Sequence, residues 1–296
     1  MPYRFLVLSR KLQRHNNDNL IEKNGCTYVW FFVYGSRTMQ PILNGQFTYL
    51  TEQRPISLIS RNFPSARFYS AFLWVVIRSS FNARRGVYSD QSWSQSSVDV
   101  LRLLENVGVK IEISGGKFIN ESDSPVIFIG NHLSMLETMV LPSIIVPYRP
   151  VTFVIKQSLL EYPVFKHIMR SRNPVAVSRT NPRQDLKTVL EEGQERLSRG
   201  ISIIIFPQTT RTAFDPKQFS SIGIKLAKRS GAPVVPLALL TDAWGNGVRL
   251  KDFGKIDPSK KVYFSFGEPI EIEGKGTDEH RLVVDFIQKH LALWQA

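Results

Sequence analysis

Apolar and polar positions recur with two different periods along the C-terminal two-thirds of the chain. Short β-branched runs bounded by Gly, Pro or Ser predict strands, and apolar residues every three or four positions predict helices. The predicted strands cover residues 109–113, 125–129, 151–155, 175–177, 201–206, 234–240 and 262–266, and the predicted helices cover residues 97–107, 158–169, 183–198, 218–230 and 277–293. Such alternation predicts an α/β fold with a mostly parallel central sheet flanked by helices.

The first 96 residues have a less regular pattern. Residues 1–60 contain short apolar runs without a helical or strand period, so we assign them no structure. Residues 61–96 contain the apolar run Phe68–Ile77, which is followed by three arginines. Ten residues are too few to span a bilayer, which takes about 20. We predict a membrane-associating helical segment here, and a helix packed on the α/β domain (residues 97–296) is the alternative.

The charge balance is basic and uneven. The 296 residues carry a net charge of +13, of which +8 lies in residues 1–90, and Cys26 is the only cysteine. A strongly basic composition is compatible with nucleic-acid binding, but no zinc-ligand spacing, RNP-like strand or basic helix with interleaved aromatic residues is present. We therefore predict anionic lipid, and no nucleic acid, as the partner of the basic surface. Salt-sensitive binding to oligonucleotides or to anionic liposomes would distinguish the two.

A histidine and a carboxylate directly follow the predicted strand at residues 125–129. Neutral imidazole can accept a proton from a hydroxyl at neutral pH once a partner fixes its tautomer, and a carboxylate can do this. His132 and Glu137 supply such a pair. Ser134 and Glu137 also form a capping-box pattern, which places His132 in the loop before a helix. We predict His132 as a general base and Glu137 as its orienting partner; a structural histidine beside a helix cap is the alternative.

A second polar stretch, residues 208–211, follows the predicted strand at residues 201–206. Open α/β sheets usually bind ligands at the carboxyl ends of their strands, so both stretches are predicted to line one cleft. A guanidinium group can bind a phosphate through two parallel charged hydrogen bonds. Arg211 belongs to this stretch and Arg179 follows the predicted strand at residues 175–177. Either arginine is thus chemically suited to bind a phosphate, and a surface salt bridge is the alternative.

These blocks resemble the glycerolipid acyltransferases, typified by lysophosphatidic acid acyltransferase, whose signature is Asn-His-x4-Asp followed by Phe-Pro-Glu-Gly-Thr-Arg. The corresponding stretches here are Asn131–Glu137 and Phe206–Arg211. Val175–Arg179 is similar to the family's intervening strand that ends in an arginine, and Pro233–Leu237 is similar to its Val-Pro strand. The resemblance covers about residues 97–270.

The resemblance implies transfer of a fatty acyl group from coenzyme A or acyl carrier protein to the hydroxyl of a lysophospholipid such as 1-acylglycerol-3-phosphate. It implies that His132 deprotonates this hydroxyl while Glu137 holds the imidazole, so that no acyl-enzyme, cofactor or metal is needed. It also implies a membrane-associated protein on the cytoplasmic face. The substrate and phosphate ligands implied are Arg179, Gln208, Thr209, Thr210 and Arg211.

Three positions depart from the family signature. Glu137 stands where most members have Asp, and Gln208 and Thr209 replace the Glu-Gly pair that lies beside the acceptor headgroup. A different acceptor is therefore an alternative. A thioester hydrolase in which His132 activates water, and a lipid-binding relative without activity, are two further alternatives. Acceptor-dependent product formation separates transfer from hydrolysis.

A second basic concentration lies between residues 149 and 183, where only Glu161 opposes seven cations. It suits phosphates of the acceptor headgroup or of coenzyme A, the acidic surface of acyl carrier protein, or anionic lipid. The alternative is a solvated basic face without a ligand. The seven residues are Arg149, Lys156, Lys166, Arg170, Arg172, Arg179 and Arg183.

Overall fold

The structure is a computed structural model that describes residues 21–23, 26–28, 41–208, 210–248 and 250–296. Residues 39–296 form one compact unit. Residues 1–38 form another, of which two short antiparallel strands are described, β1 (Ile21–Lys23) and β2 (Cys26–Tyr28). The predicted segment 1–60 therefore lies largely outside the described residues.

A mixed eight-stranded sheet runs through the larger unit. Five of its seven neighbouring strand pairs are parallel, which confirms the predicted mostly parallel sheet. The strands are β3 (Tyr49–Leu50), β4 (Lys110–Ser114), β5 (Ile127–Gly130), β6 (Val151–Lys156), β7 (Val175–Val177), β8 (Ser202–Ile205), β9 (Val234–Leu240) and β10 (Lys261–Phe266). Their order is β3-β4-β10-β9-β5-β8-β6-β7. The antiparallel strand β3 was not predicted, because two residues show no period.

Helices cover both faces of this sheet. They are α1 (Leu58–Asn62), α2 (Pro64–Arg84), α3 (Asp90–Asn106), α4 (Leu136–Ile145), α5 (Phe165–Ser171), α6 (Pro182–Ser198), α7 (Ile222–Ser230) and α8 (Thr277–Gln295). Successive side chains of a strand point to opposite faces. Accordingly, Phe128 of β5 packs with the helices α2 to α5, whereas its neighbours Ile127 and Ile129 pack with α6 to α8. The two apolar clusters bury the sheet from both sides.

Three predicted helices differ from those in the structure, and the first of them, predicted from residue 97, begins already at Asp90. The prediction for residues 158–169 is wrong in its continuity, because a 3-10 helix (Gln157–Leu160) is separated from α5 by Pro163. Proline has no backbone N–H and disfavours helical conformation in the residue before it. The helix predicted from residue 218 begins instead at Ile222, after a 3-10 turn at Pro216–Gln218.

The apolar run at residues 68–77 lies within α2, a helix of 21 residues. Phe68 and Phe72 are buried and pack on Trp244, while Leu73, Trp74, Ile77 and Phe81 are exposed. The buried side chains fit the alternative of a helix packed on the α/β domain, and the membrane-associating interpretation stays a prediction. In the described part of the chain, no helix combines the length and apolarity needed to cross a membrane. The predicted boundary between residues 96 and 97 falls inside α3, and the structure does not divide the chain there.

Candidate active site

The predicted histidine lies at the edge of the sheet where the parallel strands β5, β8 and β9 end. His132 occupies the loop between β5 and α4, as the sequence predicted. Asn131 ties this loop to the neighbouring strand: its side-chain amide donates to the carbonyl oxygen of Leu239 at 2.8 Å and accepts from the backbone N–H of Leu239 at 2.9 Å. These two hydrogen bonds take the place of backbone pairing between neighbouring strands, and they fix the start of the loop.

His132 and Glu137 form a hydrogen-bonded pair. The distance from His132 Nδ1 to Glu137 Oε1 is 2.8 Å, and the exposed fractions of the two side chains are 13% and 0%. Because Glu137 is a carboxylate, the proton on this bond belongs to Nδ1 of the neutral ring. Nε2 is then the nitrogen that can accept a proton.

The buried carboxylate of Glu137 is surrounded by hydrogen-bond donors. Oε1 accepts from the backbone N–H of Leu133 at 2.7 Å and of Ser134 at 3.0 Å, and Oε2 accepts from the Thr241 hydroxyl at 2.5 Å. Burial by itself raises the pKa of Glu137, but the hydrogen bond and charge of His132, together with Thr241 and Ser134, outweigh burial and lower that pKa. Glu137 is therefore ionised at neutral pH.

Ser134 and Glu137 also exchange hydrogen bonds next to the start of α4. Ser134 Oγ accepts from the backbone N–H of Leu136 at 3.0 Å, while the Glu137 carboxylate accepts from the backbone N–H of Ser134. The N-cap of α4 is Met135, one residue after the predicted N-cap Ser134, so the two side chains hold the backbone just before the helix, which begins at Leu136. The Glu137 carboxylate thus accepts hydrogen bonds at the start of α4 and also orients the imidazole. It can do both because His132 lies directly before the helix, within reach of the carboxylate.

Gln208 is used within the protein. Its Oε1 accepts from the backbone N–H of His132 at 3.0 Å, and its Nε2 donates to the carbonyl oxygens of Thr212 at 3.3 Å and Ala213 at 3.5 Å. The residue is 5% exposed. This geometry does not support the predicted contact with the acceptor headgroup. Gln208 instead fixes the His132 loop to the turn that follows β8.

We expect Gln208→Glu to lower both activity and stability, although it restores the family's usual residue. A carboxylate oxygen would replace Nε2 and face two carbonyl oxygens without a donor, which costs about 1–3 kcal/mol. Thermal unfolding and turnover of the variant measure the effect. Gln288→Glu, on the exposed surface of α8, is the control. Activity at or above the wild-type value would contradict this role of Gln208.

A cavity of about 530 Å³ adjoins the imidazole. Phe206 stacks on His132 with ring centroids 4.6 Å apart, and the series of ring contacts continues through Phe153 at 6.2 Å to Trp93 at 6.1 Å. Many of the other apolar lining residues come from α2 to α5 and include Phe72, Val76, Val100, Met139, Phe165 and Ile168, while Val154 and Ile155 come from β6. The cavity is thus a mainly apolar pocket that begins at His132 and extends between these helices.

Arginines and lysines line the solvent-exposed side of the same cavity. Arg179, Arg211, Lys156 and Lys251 are all part of its wall. Arg179 has a positive φ of 63°, and its backbone N–H donates to Asp185 at 2.8 Å, which holds this strained conformation. Burial of the guanidinium, followed by the charge of Arg211, lowers the pKa of Arg179. Since two like charges repel here, an anion that binds between them would be stabilised.

The remaining site predictions have different outcomes. Thr210 lines the cavity, whereas Thr209 lies outside the described residues. Arg149, Arg170 and Arg172 of the basic concentration contact other protein groups. Arg149 donates to the carbonyls of Ser122 and Ser124, Arg170 pairs with Glu161, and Arg172 pairs with Asp90.

Among the described residues, no group of three or more His, Cys, Asp or Glu side chains could hold a metal ion. The expectation of a metal-free, cofactor-free reaction stays a prediction.

Part of the chain is similar to known acyltransferases. Residues 110–240 match the family model described as Acyltransferase. These residues are therefore similar to the acyltransferase family. A 1-acyl-sn-glycerol-3-phosphate acyltransferase of Pseudomonas aeruginosa is 31% identical over 50% of this chain and 55% of its own length. The BAT2 1-acyl-sn-glycerol-3-phosphate acyltransferase of Brassica napus is 29% identical over 44% of this chain and 37% of its own length. The predicted resemblance is confirmed, although the chain spans only about half the length of such relatives, or less.

A solved structure shares the fold of the α/β domain. The 1-acyl-sn-glycerophosphate (LPA) acyltransferase PlsC from Thermotoga maritima superposes with a TM-score of 0.60. It covers 80% of this chain and 97% of its own, at 20% sequence identity. The match confirms the predicted α/β fold of this domain.

Three residues that support the site were not assigned by the sequence. Asn131 lies next to His132, and Thr241 follows β9 as His132 follows β5. The strand-end rule that selected His132 would also have selected Thr241, because β5 and β9 are parallel neighbours. Asp252, which pairs with Arg211 at 2.5 Å, lies in a long loop with no such signal.

Proposed function

We propose that the protein transfers a fatty acyl group from an acyl thioester to the hydroxyl of a lysophospholipid that carries a phosphate, such as 1-acylglycerol-3-phosphate. One arrangement carries this proposal: a carboxylate-oriented imidazole at one end of an apolar cavity, with Arg179 and Arg211 on its exposed side. The apolar space suits an acyl chain and the two guanidinium groups suit a phosphate. Among the described residues, His132 alone combines a buried carboxylate partner with access to this cavity.

The reaction follows from the positions of these groups. Nε2 of His132 accepts the proton of the acceptor hydroxyl as its oxygen forms a bond to the thioester carbonyl carbon. The negative charge of Glu137 stabilises the imidazolium that results. The carbon–sulfur bond then breaks, and the leaving thiolate takes the proton back from the imidazolium. General-base catalysis of this kind contributes typically about 10²- to 10⁴-fold.

Hydrolysis is the second candidate, because water could take the place of the acceptor hydroxyl. The cluster of four cations on the exposed side favours transfer, since water has no anionic group for Arg179 and Arg211 to bind. A coenzyme A phosphate could also bind there. The acceptor and the donor therefore have to be varied independently.

The test uses the purified full chain with labelled acyl-coenzyme A or acyl carrier protein. Each donor is combined with a lysolipid bearing a phosphate monoester, a zwitterionic lysolipid or an uncharged monoacylglycerol, and products are identified by mass spectrometry. We expect a diacyl product from the phosphate monoester and little from the uncharged acceptor. Equal use of all three acceptors would contradict phosphate recognition, and the donor that supports turnover identifies the carrier.

We also propose that α2 contacts the membrane that contains the lipid substrate. Its exposed residues Leu73, Trp74, Ile77 and Phe81 form one side of the helix, here called the α2 outer face. The arginines Arg61, Arg67, Arg84 and Arg85 lie in the same segment. Apolar side chains beside cations fit an anionic lipid surface. The opposite face of α2 lines the acyl cavity through Phe72 and Val76, so substrate would reach the cavity over a short distance. The cytoplasmic side of the membrane stays a prediction.

We expect Leu73→Glu to weaken binding to vesicles that contain anionic lipid by on the order of tenfold or more. The change removes an apolar group worth about 1.5–3 kcal/mol when fully buried and adds a charge of the same sign as the lipid. Leu282→Glu on α8 is the matched control, because Leu73 and Leu282 are 51% and 52% exposed. Vesicle cosedimentation measures binding. Equal loss in both variants would show that the α2 outer face is not the contact.

A further inference from the structure

Asp252 is an acidic residue in the predominantly basic side of the cavity. Its Oδ1 lies 2.5 Å from Nη2 of Arg211, and the two side chains are 18% and 21% exposed. After burial, the charge of Asp252 is the largest cause that raises the pKa of the nearby Tyr162 phenol. Asp252 therefore lies among the groups proposed to receive the phosphate of the acceptor, where a carboxylate would ordinarily weaken anion binding.

The other terminal nitrogen of Arg211 has no such partner. Nη1 is buried and makes no hydrogen bond to the described residues. A guanidinium offers donors in a fixed planar fork, so holding one nitrogen sets the direction of the other. A buried donor without an acceptor costs about 1–3 kcal/mol. A ligand oxygen that accepts from Nη1 would remove this cost.

The backbone that carries Asp252 is fixed on several sides. The indole N–H of the fully buried Trp244 donates to the carbonyl oxygen of Asp252 at 3.1 Å. Two segments of this loop lie so close together that a Cβ atom on Gly254 would be 1.8 Å from the carbonyl oxygen of Gly245. Asn246 donates to the carbonyl oxygen of Leu133, next to His132, at 2.9 Å. The loop is thus anchored to the core and to the loop that carries the imidazole.

We infer that Asp252 is a positioning residue for acceptor binding: it holds Nη2 of Arg211 and thereby directs Nη1 toward an anionic oxygen of the acceptor. This inference rests on the proposed function for the identity of the acceptor. The carboxylate acts through the arginine and does not touch the reacting atoms. The inference predicts that removing the negative charge of Asp252 weakens, rather than strengthens, the binding of a phosphate.

The test measures glycerol 3-phosphate binding to the full chain by calorimetry, beside the Michaelis constants for acceptor and donor. We expect Asp252→Asn to weaken phosphate binding and to raise the acceptor Michaelis constant by about tenfold or more, because small displacements of a binding group can cost up to about 10²-fold. The donor Michaelis constant should not change, and Asp252→Glu should recover part of the loss. Asp242→Asn is the control, because Asp242 pairs with Lys260 on the surface.

A double-mutant cycle separates positioning from a general effect on folding. In an Arg211→Ala background, Asp252→Asn should have no further effect on phosphate binding, whereas a loss through misfolding would persist. Unchanged or tighter binding by Asp252→Asn would overturn the inference, because Asp252 would then compete with the phosphate. Failure of the wild-type protein to bind glycerol 3-phosphate would overturn it as well. Binding without acyl transfer to any lysolipid would contradict only the proposed function.

Discussion

His132→Ala is expected to lower acyl transfer by about 10²- to 10⁴-fold, because the variant loses the group that accepts the proton of the acceptor hydroxyl. Binding of acceptor and donor should change little, since the cavity and both arginines remain. The imidazole makes one side-chain hydrogen bond, and Glu137 keeps its other donors, so the fold should be retained. Turnover at saturating substrate measures the loss.

The control for this prediction is His280→Ala. His280 lies on α8, where its ring stacks on Phe219 with centroids 6.0 Å apart, and it does not line the cavity. We expect wild-type turnover from this control. Wild-type turnover from His132→Ala, with an unchanged melting temperature, would mean that the base is another group or that no base is needed.

Glu137→Ala is expected to impair both the fold and the activity. The backbone N–H groups of Leu133 and Ser134 and the Thr241 hydroxyl would lose a buried acceptor, at about 1–3 kcal/mol each. The helix cap at α4 and the orientation of His132 would be lost with it. We expect a lower melting temperature as well as a large loss of turnover. An unchanged melting temperature would show that the carboxylate is not needed to hold the loop that carries His132.

Glu137→Gln separates the two roles of this carboxylate. An amide keeps the shape and one acceptor oxygen, so we expect a smaller loss of turnover than from His132→Ala. The variant should also alter the pH dependence of stability. Because the folded-state pKa of Glu137 lies below the unfolded value of about 4.3, its contribution is present above that pH and is lost as the pH falls through the folded-state pKa. The acid side of the stability profile should therefore flatten in Glu137→Gln, but not in the surface variant Glu191→Gln.

The loop that carries His132 could be predicted because its signals are local. The strand before His132 is short and apolar, and the capping box at Ser134 and Glu137 places the helix start. These two features leave His132 in a loop at the edge of a parallel sheet. The carboxylate could then reach the ring only from the first turn of α4, as the 2.8 Å contact shows.

The role of Gln208 could not be predicted from its neighbours in sequence. Its position after β8 was correct, but the direction of its side chain depends on the turn that brings Thr212 and Ala213 back toward the His132 loop. Thr212 N–H donates to the carbonyl oxygen of His132 at 3.2 Å and closes this turn. The family signature gives the position of Gln208 in the sequence. It does not show whether the side chain contacts the substrate or other groups of the protein.

The positions of Asp252 and of α2 depend on contacts between residues that are far apart in the sequence. Asp252 is placed by Trp244, whose ring packs on Phe68 of α2 with centroids 4.8 Å apart. Tyr69 of α2 donates to the carbonyl oxygen of Gly254 at 2.5 Å in the same loop. No periodicity in either segment predicts these contacts. By contrast, the break before α5 at Pro163 was available from the sequence, because proline disfavours a helix interior.

The most direct test of the central claim is the dependence of thioester cleavage on the acceptor. Purified protein with acyl-coenzyme A or acyl carrier protein is assayed for thiol release with and without 1-acylglycerol-3-phosphate, while the lipid product is quantified. We predict thiol release only when the lysolipid is present, one diacyl product for each thiol, and loss of both in His132→Ala. Equal thiol release without the lysolipid, with free fatty acid as the product, would contradict acyl transfer and identify a hydrolase.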